Sequence, residues 1–94
     1  MVVVIIPTLN EEESIGLLAI TARMWGYRVI VVDGGSTDST IVRALEAGAV
    51  VVNAHKPGYR DQMTLGWDLA LNLEADRIVQ MDAGWSHYPD DLAN

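Results

Sequence analysis

Acidic side chains follow two of the apolar segments in this chain. Asp33 comes directly after the run Val29–Val32, and Asp82 comes directly after Ile78–Met81. A carboxylate without a partner in an apolar interior is costly, so each needs hydrogen-bond donors or a solvated position at the rim of the fold. In open α/β sheets, ligands bind at the carboxyl ends of the strands. The sequence therefore predicts a ligand-binding role for both aspartates.

A polar loop, Pro7–Asn10, follows a third apolar run, Val2–Ile6. The run has no polar break, which is typical of a strand buried on both faces. We expect the proline of the loop to end the strand. Asn10 and Glu13 have the spacing of a reciprocal helix N-cap. Glu11 has no such structural role and is either a ligand contact or a solvated side chain.

The turn Gly34–Asp38, with the sequence GGSTD, contains residues that are common in phosphate-binding loops. It lacks the glycine spacing of a dinucleotide fingerprint and the Gly-Lys-Ser/Thr of a P-loop. The pattern therefore favours a tight strand-to-helix turn, with Asp38 in the first turn of the helix.

Two cations, Lys56 and Arg60, flank the segment Pro57–Tyr59. We place this segment in a loop on the same side of the sheet as the two aspartates. The cations are candidates for contacts with phosphate oxygens, and ordinary solvated surface is an equally good interpretation.

The chain that positions these residues alternates between strand and helix patterns. The predicted strands are Val2–Ile6, Val29–Val32, Val50–Val52 and Ile78–Met81. The first helix carries Ile15, Leu18, Ala19 and Ala22 at helical spacing and ends at Gly26, and the second is capped by Ser36 or Thr37, carries Ile41, Ala44 and Leu45, and ends at Gly48. The third begins near Arg60, with Met63, Trp67, Ala70 and Leu71 opposite a polar stripe.

This alternation predicts an α/β fold, a three-layer Rossmann-like parallel sheet with right-handed crossovers and strand order 3-2-1-4. The order reverses between strands 1 and 4. Pro7–Glu11 and Asp82–Ser86 would then flank one crevice, with Asp33 beside it. The sheet looks incomplete, because nothing in the sequence covers the outer edge of strand 4. We expect that edge to pair with further protein or with a second copy.

Composition limits the function classes. The 94 residues suffice for a single domain, 1–94, and 13 acidic residues against 6 Lys and Arg give a net charge of −7. This balance argues against nucleic-acid or anionic-membrane binding driven by net charge, and a phosphate-bearing ligand would need a cation or backbone amides. The chain has no cysteine, which excludes disulfides and thiolate metal sites. No apolar run is long enough for a membrane span, and a cytoplasmic location is expected.

Three motifs, taken together, resemble the family 2 glycosyltransferases. They are Val2–Glu13 (VVVIIPTLNEEE), Val31–Thr40 (VVDGGSTDST) and Gln80–Leu92 (QMDAGWSHYPDDL). Within that family the chain is most similar to the dolichol- or polyprenyl-phosphate mannosyltransferases. The resemblance implies the GT-A fold, which has this strand order, and a nucleotide-diphosphate sugar bound together with a divalent metal, Mg²⁺ or Mn²⁺.

The resemblance also assigns site residues. Pro7, Leu9 and Glu11 match positions that line the nucleoside pocket, Asp33 matches the acid that contacts the base, and Asp82 with Ala83 begins the Asp-x-Asp motif near the ribose, metal and diphosphate. The second Asp of that motif is replaced by Gly84, which leaves Asp82 as the metal ligand, with Ser86 or water. Arg60, Gln62 and Thr64 replace the family's small residue and Arg or Asn before Gly66.

The expected function is that of the nucleotide-binding half of a glycosyltransferase that uses a GDP- or UDP-sugar. The family's catalytic domain is longer, so its acceptor site, for example for polyprenyl phosphate, and its base would lie beyond Asn94. A full-length protein of this group would associate with the cytoplasmic face of a membrane. A nucleotide-binding or interaction module without turnover is the alternative. Dinucleotide-dependent oxidoreduction is less favoured, because strand 1 is not followed by glycines.

Overall fold

Four parallel strands and three helices make up the part of the chain that the structure, a computed structural model, describes, residues 1–54 and 58–83. The elements are β1 (Val2–Thr8), α1 (Ile15–Met24), β2 (Arg28–Asp33), α2 (Thr40–Glu46), β3 (Val50–Asn53), α3 (Tyr59–Asn72) and β4 (Arg77–Gln80). The strand order is β3-β2-β1-β4, which confirms the predicted topology.

The two central strands are buried on both faces, as their unbroken apolar runs predict. In β1, Val4 and Ile6 pack toward α1 and α2, whereas Val3 and Ile5 pack toward α3. All four side chains are fully buried. The sheet is therefore the middle of three layers, and its burial fixes where the carboxyl ends of the strands lie.

Pro7 does not end β1, and this prediction was wrong. The strand continues through Thr8, with Pro7 paired to Val32 and Thr8 paired to Asp33. The amide of Met81 donates to the carbonyl of Ile5, which shows that odd-numbered residues of β1 direct their backbone groups toward β4. At Pro7 that side of β1 lies beyond the end of β4, so the missing N–H of proline costs no strand bond.

The predicted helix caps were also wrong. Ser14, not Asn10, precedes α1, and the amides of Ser14 and Ile15 both donate to the carbonyl of Glu11. Ser39, not Ser36 or Thr37, precedes α2. Asn10, Ser36 and Thr37 instead form hydrogen bonds that join the loop after β1 to the loop after β2, as described below.

Small residues make much of the contact between the helices and the sheet, together with Ile15 of α1 and Met63 of α3. At α2 the buried residues in contact with the core are Ala44 and Ala47. Leu45, which was predicted to face the core, is 56% exposed. Met63 and Ala70 of α3 are buried as predicted, but Trp67 is 41% exposed and Leu71 60%. Short side chains bring each helix axis close to the sheet, so the larger residues on the flanks remain outside. The ends of α1 and α2 at Gly26 and Gly48, both with positive φ, are confirmed.

The sheet edges are open within the described residues. β3 pairs only with β2, and β4 pairs only with β1. Separately, none of the helices in residues 1–54 and 58–83 is long and apolar enough to cross a membrane.

Gly66 sets the distance between α3 and the sheet, and its substitution gives a test of the fold. A Cβ atom there would lie 2.6 Å from Cγ2 of Ile5 and 3.1 Å from Cγ2 of Val32. We expect Gly66→Ala to lower the free energy of unfolding by about 1–3 kcal/mol, because α3 must move off the sheet.

Gly16 of α1 provides the matched control, since a Cβ atom there meets no heavy atom within 4 Å. Gly16→Ala should raise the free energy of unfolding by about 0.5–1 kcal/mol. Urea denaturation of both variants makes the comparison, and equal effects would contradict the close approach at Gly66.

Candidate functional site

The loops that follow β1, β2 and β4 meet at one cavity, at the carboxyl ends of the strands. It has a volume of about 260 Å³ and is lined by Asn10, Glu11, Glu12, Glu13, Ser14, Asp38 and Ala83. A larger cavity of about 470 Å³ lies against α3 and is lined by Arg60, Met63, Thr64, Trp67, Asp68 and Gln80. We place the candidate site at the smaller one, because the strand order reverses between β1 and β4 there.

The Asp33 carboxylate is fully buried and accepts four hydrogen bonds. Its Oδ1 accepts from the Thr8 hydroxyl at 2.8 Å and the Ser36 hydroxyl at 2.5 Å. Its Oδ2 accepts from the amides of Gly35 at 3.0 Å and Ser36 at 2.7 Å. Burial alone would raise the pKa of Asp33, but these hydrogen bonds outweigh it and lower the pKa. Asp33 thus joins the end of β1 to the turn after β2.

Asn10 makes a second link between the same two loops. Its amide donates to the Ser36 hydroxyl at 2.8 Å, and its side-chain Oδ1 accepts from the amide of Thr37 at 2.9 Å. Asn10 has a φ of 55°, in the left-handed region that asparagine tolerates better than most residues. The loop after β1 is therefore held by contacts with the loop after β2.

Asp38 and Thr40 make a third link, at the start of α2. The Thr40 amide donates to Asp38 Oδ1 at 2.9 Å, and the Glu11 amide donates to the Thr40 hydroxyl at 2.8 Å. The Glu12 amide lies 3.4 Å from Asp38 Oδ2. Burial opposes ionisation of Asp38, but the bonds from Thr40 and Glu12 outweigh it and lower its pKa.

Gln62 holds the two central strands from the opposite face of the sheet. It is 5% exposed, and its Nε2 donates to the carbonyls of Thr8 at 3.0 Å and Val32 at 2.8 Å. Only the amide nitrogen can donate to two carbonyl oxygens, which fixes the orientation of this side chain. Gln62 therefore positions the ends of β1 and β2 from α3.

Negative charge is concentrated at the mouth of the cavity. The pKa of Glu11 is raised, first by burial and then by the carboxylates of Asp82 and Asp38. Ala83, buried on the β4 side, accepts a hydrogen bond from the Ser14 hydroxyl, which holds the β4 loop against the start of α1. Carboxylates from the loops after β1, β2 and β4 thus lie close enough to repel one another, and a cation would relieve this repulsion.

The structure brings together some of the predicted site residues. Glu11 and Ala83 line the cavity, Asp82 lies within electrostatic range of Glu11, and Asp33 lies beneath the loops. Neither Pro7, in β1, nor Leu9, which is 41% exposed, lines it. Arg60 lines the cavity against α3, while Lys56, Gly84 and Ser86 lie outside the described residues. Ligand contacts of these side chains remain predictions.

Three polar residues that shape the site were not predicted. Thr8 bonds to Asp33, and Asp38 lies close to the Glu12 amide, so both contacts join segments that are distant in sequence. The local sequence does not indicate these partners. Gln62 lies on the buried side of α3, next to Met63. A polar residue at a helix position that faces the sheet is the signal that could have identified it.

The chain resembles glycosyltransferases over nearly its whole length. No protein-family model matches it. An uncharacterised glycosyltransferase of Mycobacterium tuberculosis is 48% identical over 93 residues, 97% of this chain and 40% of the relative. A polyprenol monophosphomannose synthase of Mycolicibacterium smegmatis is 32% identical over 99 residues, 96% of this chain and 37% of the relative. The chain thus spans about two fifths of these curated relatives.

A similar solved structure is that of a glucosyl-3-phosphoglycerate synthase from Mycobacterium tuberculosis, in complex with Mn²⁺, UDP and glucosyl-3-phosphoglycerate. It superposes with a TM-score of 0.73 at 28% identity and covers 88% of this chain and 33% of that chain. The same enzyme with Mn²⁺, UDP-glucose and phosphoglyceric acid gives a TM-score of 0.72. The predicted homology and fold are therefore confirmed.

The buried Asp33 carboxylate gives a pH-dependent prediction. Its pKa is lowered below the ordinary value of 3.8 in the folded state, so the ionised group stabilises the fold above that pH. This contribution is lost as the pH falls through the folded pKa. At pH 7 we expect Asp33→Asn to lower the free energy of unfolding by about 2–3 kcal/mol.

Urea denaturation from pH 7 to pH 2 is the measurement, and the difference from the parent protein should shrink at the acidic end. The exposed Asp68→Asn control should change stability by no more than about 0.5 kcal/mol at pH 7. A difference for Asp33→Asn that stays constant over the whole range would contradict the assignment.

Proposed function

We propose that this chain, a homologue of glycosyltransferases with the GT-A fold, is the part of a glycosyltransferase that binds the nucleotide-diphosphate sugar. The observation that carries the proposal is the cavity between the loops after β1 and β4, with Glu11, Asp38 and Asp82 around it. The related structure that binds UDP and Mn²⁺ has the same fold over this segment, which supports the same ligand class here.

A divalent cation fits the chemistry of this site as a companion of the nucleotide. Burial and two neighbouring carboxylates already disfavour ionised Glu11, and a cation would relieve that repulsion. Among the described residues no group of three His, Cys, Asp or Glu side chains could hold a metal. Asp82 would therefore share the ion with phosphate oxygens of the ligand. When bound, Mg²⁺ or Mn²⁺ would neutralise charge on the diphosphate leaving group.

The protein's own contribution to transfer would be orientation of the donor. The links from Asp33, Asn10 and Thr40 hold the loops after β1 and β2 in one relative position before any ligand arrives. A pre-formed pocket loses less conformational entropy on binding. For Asp33 to contact a base directly, one of its present bonds, such as that to the Ser36 hydroxyl, would have to be exchanged.

The rest of a longer domain would supply the acceptor site, and we assign to it the edge of β4 that no strand of residues 1–54 and 58–83 covers. The chain covers about two fifths of its curated relatives, and an unpaired strand edge favours pairing. Polyprenyl phosphate is the acceptor class suggested by the mannose synthase relative, and a phosphoglycerate by the structural relative. A polyprenyl-phosphate acceptor would place the full-length protein at the cytoplasmic face of a membrane.

A nucleotide-binding module without turnover is the second candidate. It is favoured by Gly84, which stands where the Asp-x-Asp motif has its second carboxylate and cannot ligate a metal through a side chain. Sugar transfer to either acceptor by a longer form that includes this chain would exclude it, whereas donor binding without transfer by that form would support it.

Nucleotide binding is the direct test of the proposal. Calorimetric titration of UDP and GDP in the presence of Mn²⁺ should show binding. Glu11→Gln and Asp82→Asn should each weaken it by about tenfold, because each removes a carboxylate that attracts the Mn²⁺ bound with the nucleotide. Asp68→Asn, in the other cavity, should leave the affinity unchanged. The absence of binding by either nucleotide would reject the proposal.

The same Glu11→Gln variant distinguishes a ligand site from a structural one. A raised pKa means that ionisation of Glu11 destabilises the folded state at neutral pH. Replacing it should therefore raise the unfolding free energy of the ligand-free protein by about 0.5 kcal/mol while it weakens binding. A loss of both stability and affinity would instead indicate a structural role.

Metal binding should depend on the nucleotide. With Asp82 as its principal protein carboxylate, the free protein should bind Mn²⁺ with a dissociation constant of about 1 mM or weaker. Saturating UDP should strengthen Mn²⁺ binding at least tenfold, and Mn²⁺ should strengthen UDP binding by the same factor. Electron paramagnetic resonance of free Mn²⁺, corrected with a protein-free sample for the Mn²⁺ that UDP itself binds, measures the first effect. Calorimetric titration of UDP with and without Mn²⁺ measures the second. Tight binding without nucleotide would show that further protein ligands complete the coordination shell.

A further inference from the structure

The outer face of α1 carries a line of exposed apolar side chains. Leu17 is 75% exposed, Ile20 46% and Met24 81%, and their spacing of three and four residues places them along one side of the helix. Trp25, just after the helix, is 72% exposed. The opposite face of α1 is already buried against the sheet. Contiguous apolar surface of this kind marks an interaction site.

A cavity lies beside this line, between α1 and α2. It has a volume of about 340 Å³ and is lined by Glu12, Glu13, Gly16, Leu17, Ile20, Arg43, Glu46 and Ala47. Gly16 has no side chain, and the space where its Cβ would stand is open to a distance of 4 Å. The face therefore has a notch at Gly16 and a prominent side chain at Met24.

We propose that this face of α1 binds the same face of a second copy of the chain, in an antiparallel arrangement with Ile20 at the two-fold axis. Gly16 and Met24 are each four residues from Ile20, or about 6 Å along the helix. Antiparallel pairing about Ile20 places Met24 of each copy opposite the notch at Gly16 of the other. The interface is then isologous, so one pair of features provides both contacts.

The charges at the two ends of α1 fit this arrangement. Glu12 and Glu13 lie before the helix, and the exposed Arg23, which also donates to the carbonyl of Gly48, lies in its last turn. Antiparallel pairing brings the acidic end of each copy to the basic end of the other, and it also opposes the two helix dipoles. An anionic lipid surface is the less favourable partner, because it offers no basic group to Glu12, Glu13 and Glu46 at the cavity, whereas a second copy offers Arg23.

The absence of cysteine from the chain allows a direct test by cross-linking. With helix axes about 8–10 Å apart, Cα atoms that face each other across the axis approach to about 4–5 Å, within the range of a disulfide. Under mild oxidation, Ile20→Cys should form a covalent dimer of the 94-residue protein. Leu71→Cys, on the exposed side of α3, should cross-link at least tenfold more slowly.

Sedimentation equilibrium provides the independent measurement. Met24→Glu should weaken dimerisation at least tenfold, whereas Leu71→Glu should leave it unchanged, with circular dichroism confirming that both variants are folded. A monomeric parent protein at about 1 mM would overturn the proposal, and so would equal cross-linking at Ile20→Cys and Leu71→Cys. Dimerisation that Met24→Glu does not affect would also overturn it, because the contact would then lie on another surface.

Discussion

The buried carboxylate of Asp33 is the constraint on which the site depends. A charge in this position is tolerable only because four donors from both central loops converge on it. The bond from Thr8 ties Asp33 to the end of β1, and the three from Gly35 and Ser36 hold the turn after β2 around it. Stability of the sheet and geometry of the crevice are therefore set by one group, and a change that disturbs either affects the other.

The surroundings of Glu11, which include Asp82, have the opposite effect: they raise the pKa of Glu11, whereas those of Asp33 lower its pKa. Burial makes ionisation of Glu11 less favourable, and the nearby carboxylate of Asp82 adds to the effect. Sites that bind a charged ligand commonly retain such repulsion, because the ligand relieves it. The Asp33 carboxylate has all its hydrogen bonds within the protein and supports the crevice. The Glu11 carboxylate is less favourably ionised and belongs to the surface that we propose binds the ligand.

Much of the architecture was predictable from the sequence because it follows from local periodicity. Apolar runs, interrupted only by Gln80 in the fourth, identified the strands, and alternation with helices gave the strand order. The cap assignments failed because Asn10 and Ser36 bond to each other's loops, and local spacing carries no information about such partners. The exposure of Trp67 was missed because Gly66 and its neighbours bring α3 close to the sheet, which helical periodicity alone does not reveal.

Gln62 connects α3 to the two strand ends that support the crevice through hydrogen bonds. Its amide contacts the last carbonyl of β1 and the next-to-last of β2, so a shift of the helix along the sheet would pull on both strand ends at once. The outer side of α3 carries its own cavity, between Arg60 and Gln80. The helix that lines this cavity and the strand ends that support the crevice therefore belong to one hydrogen-bonded unit.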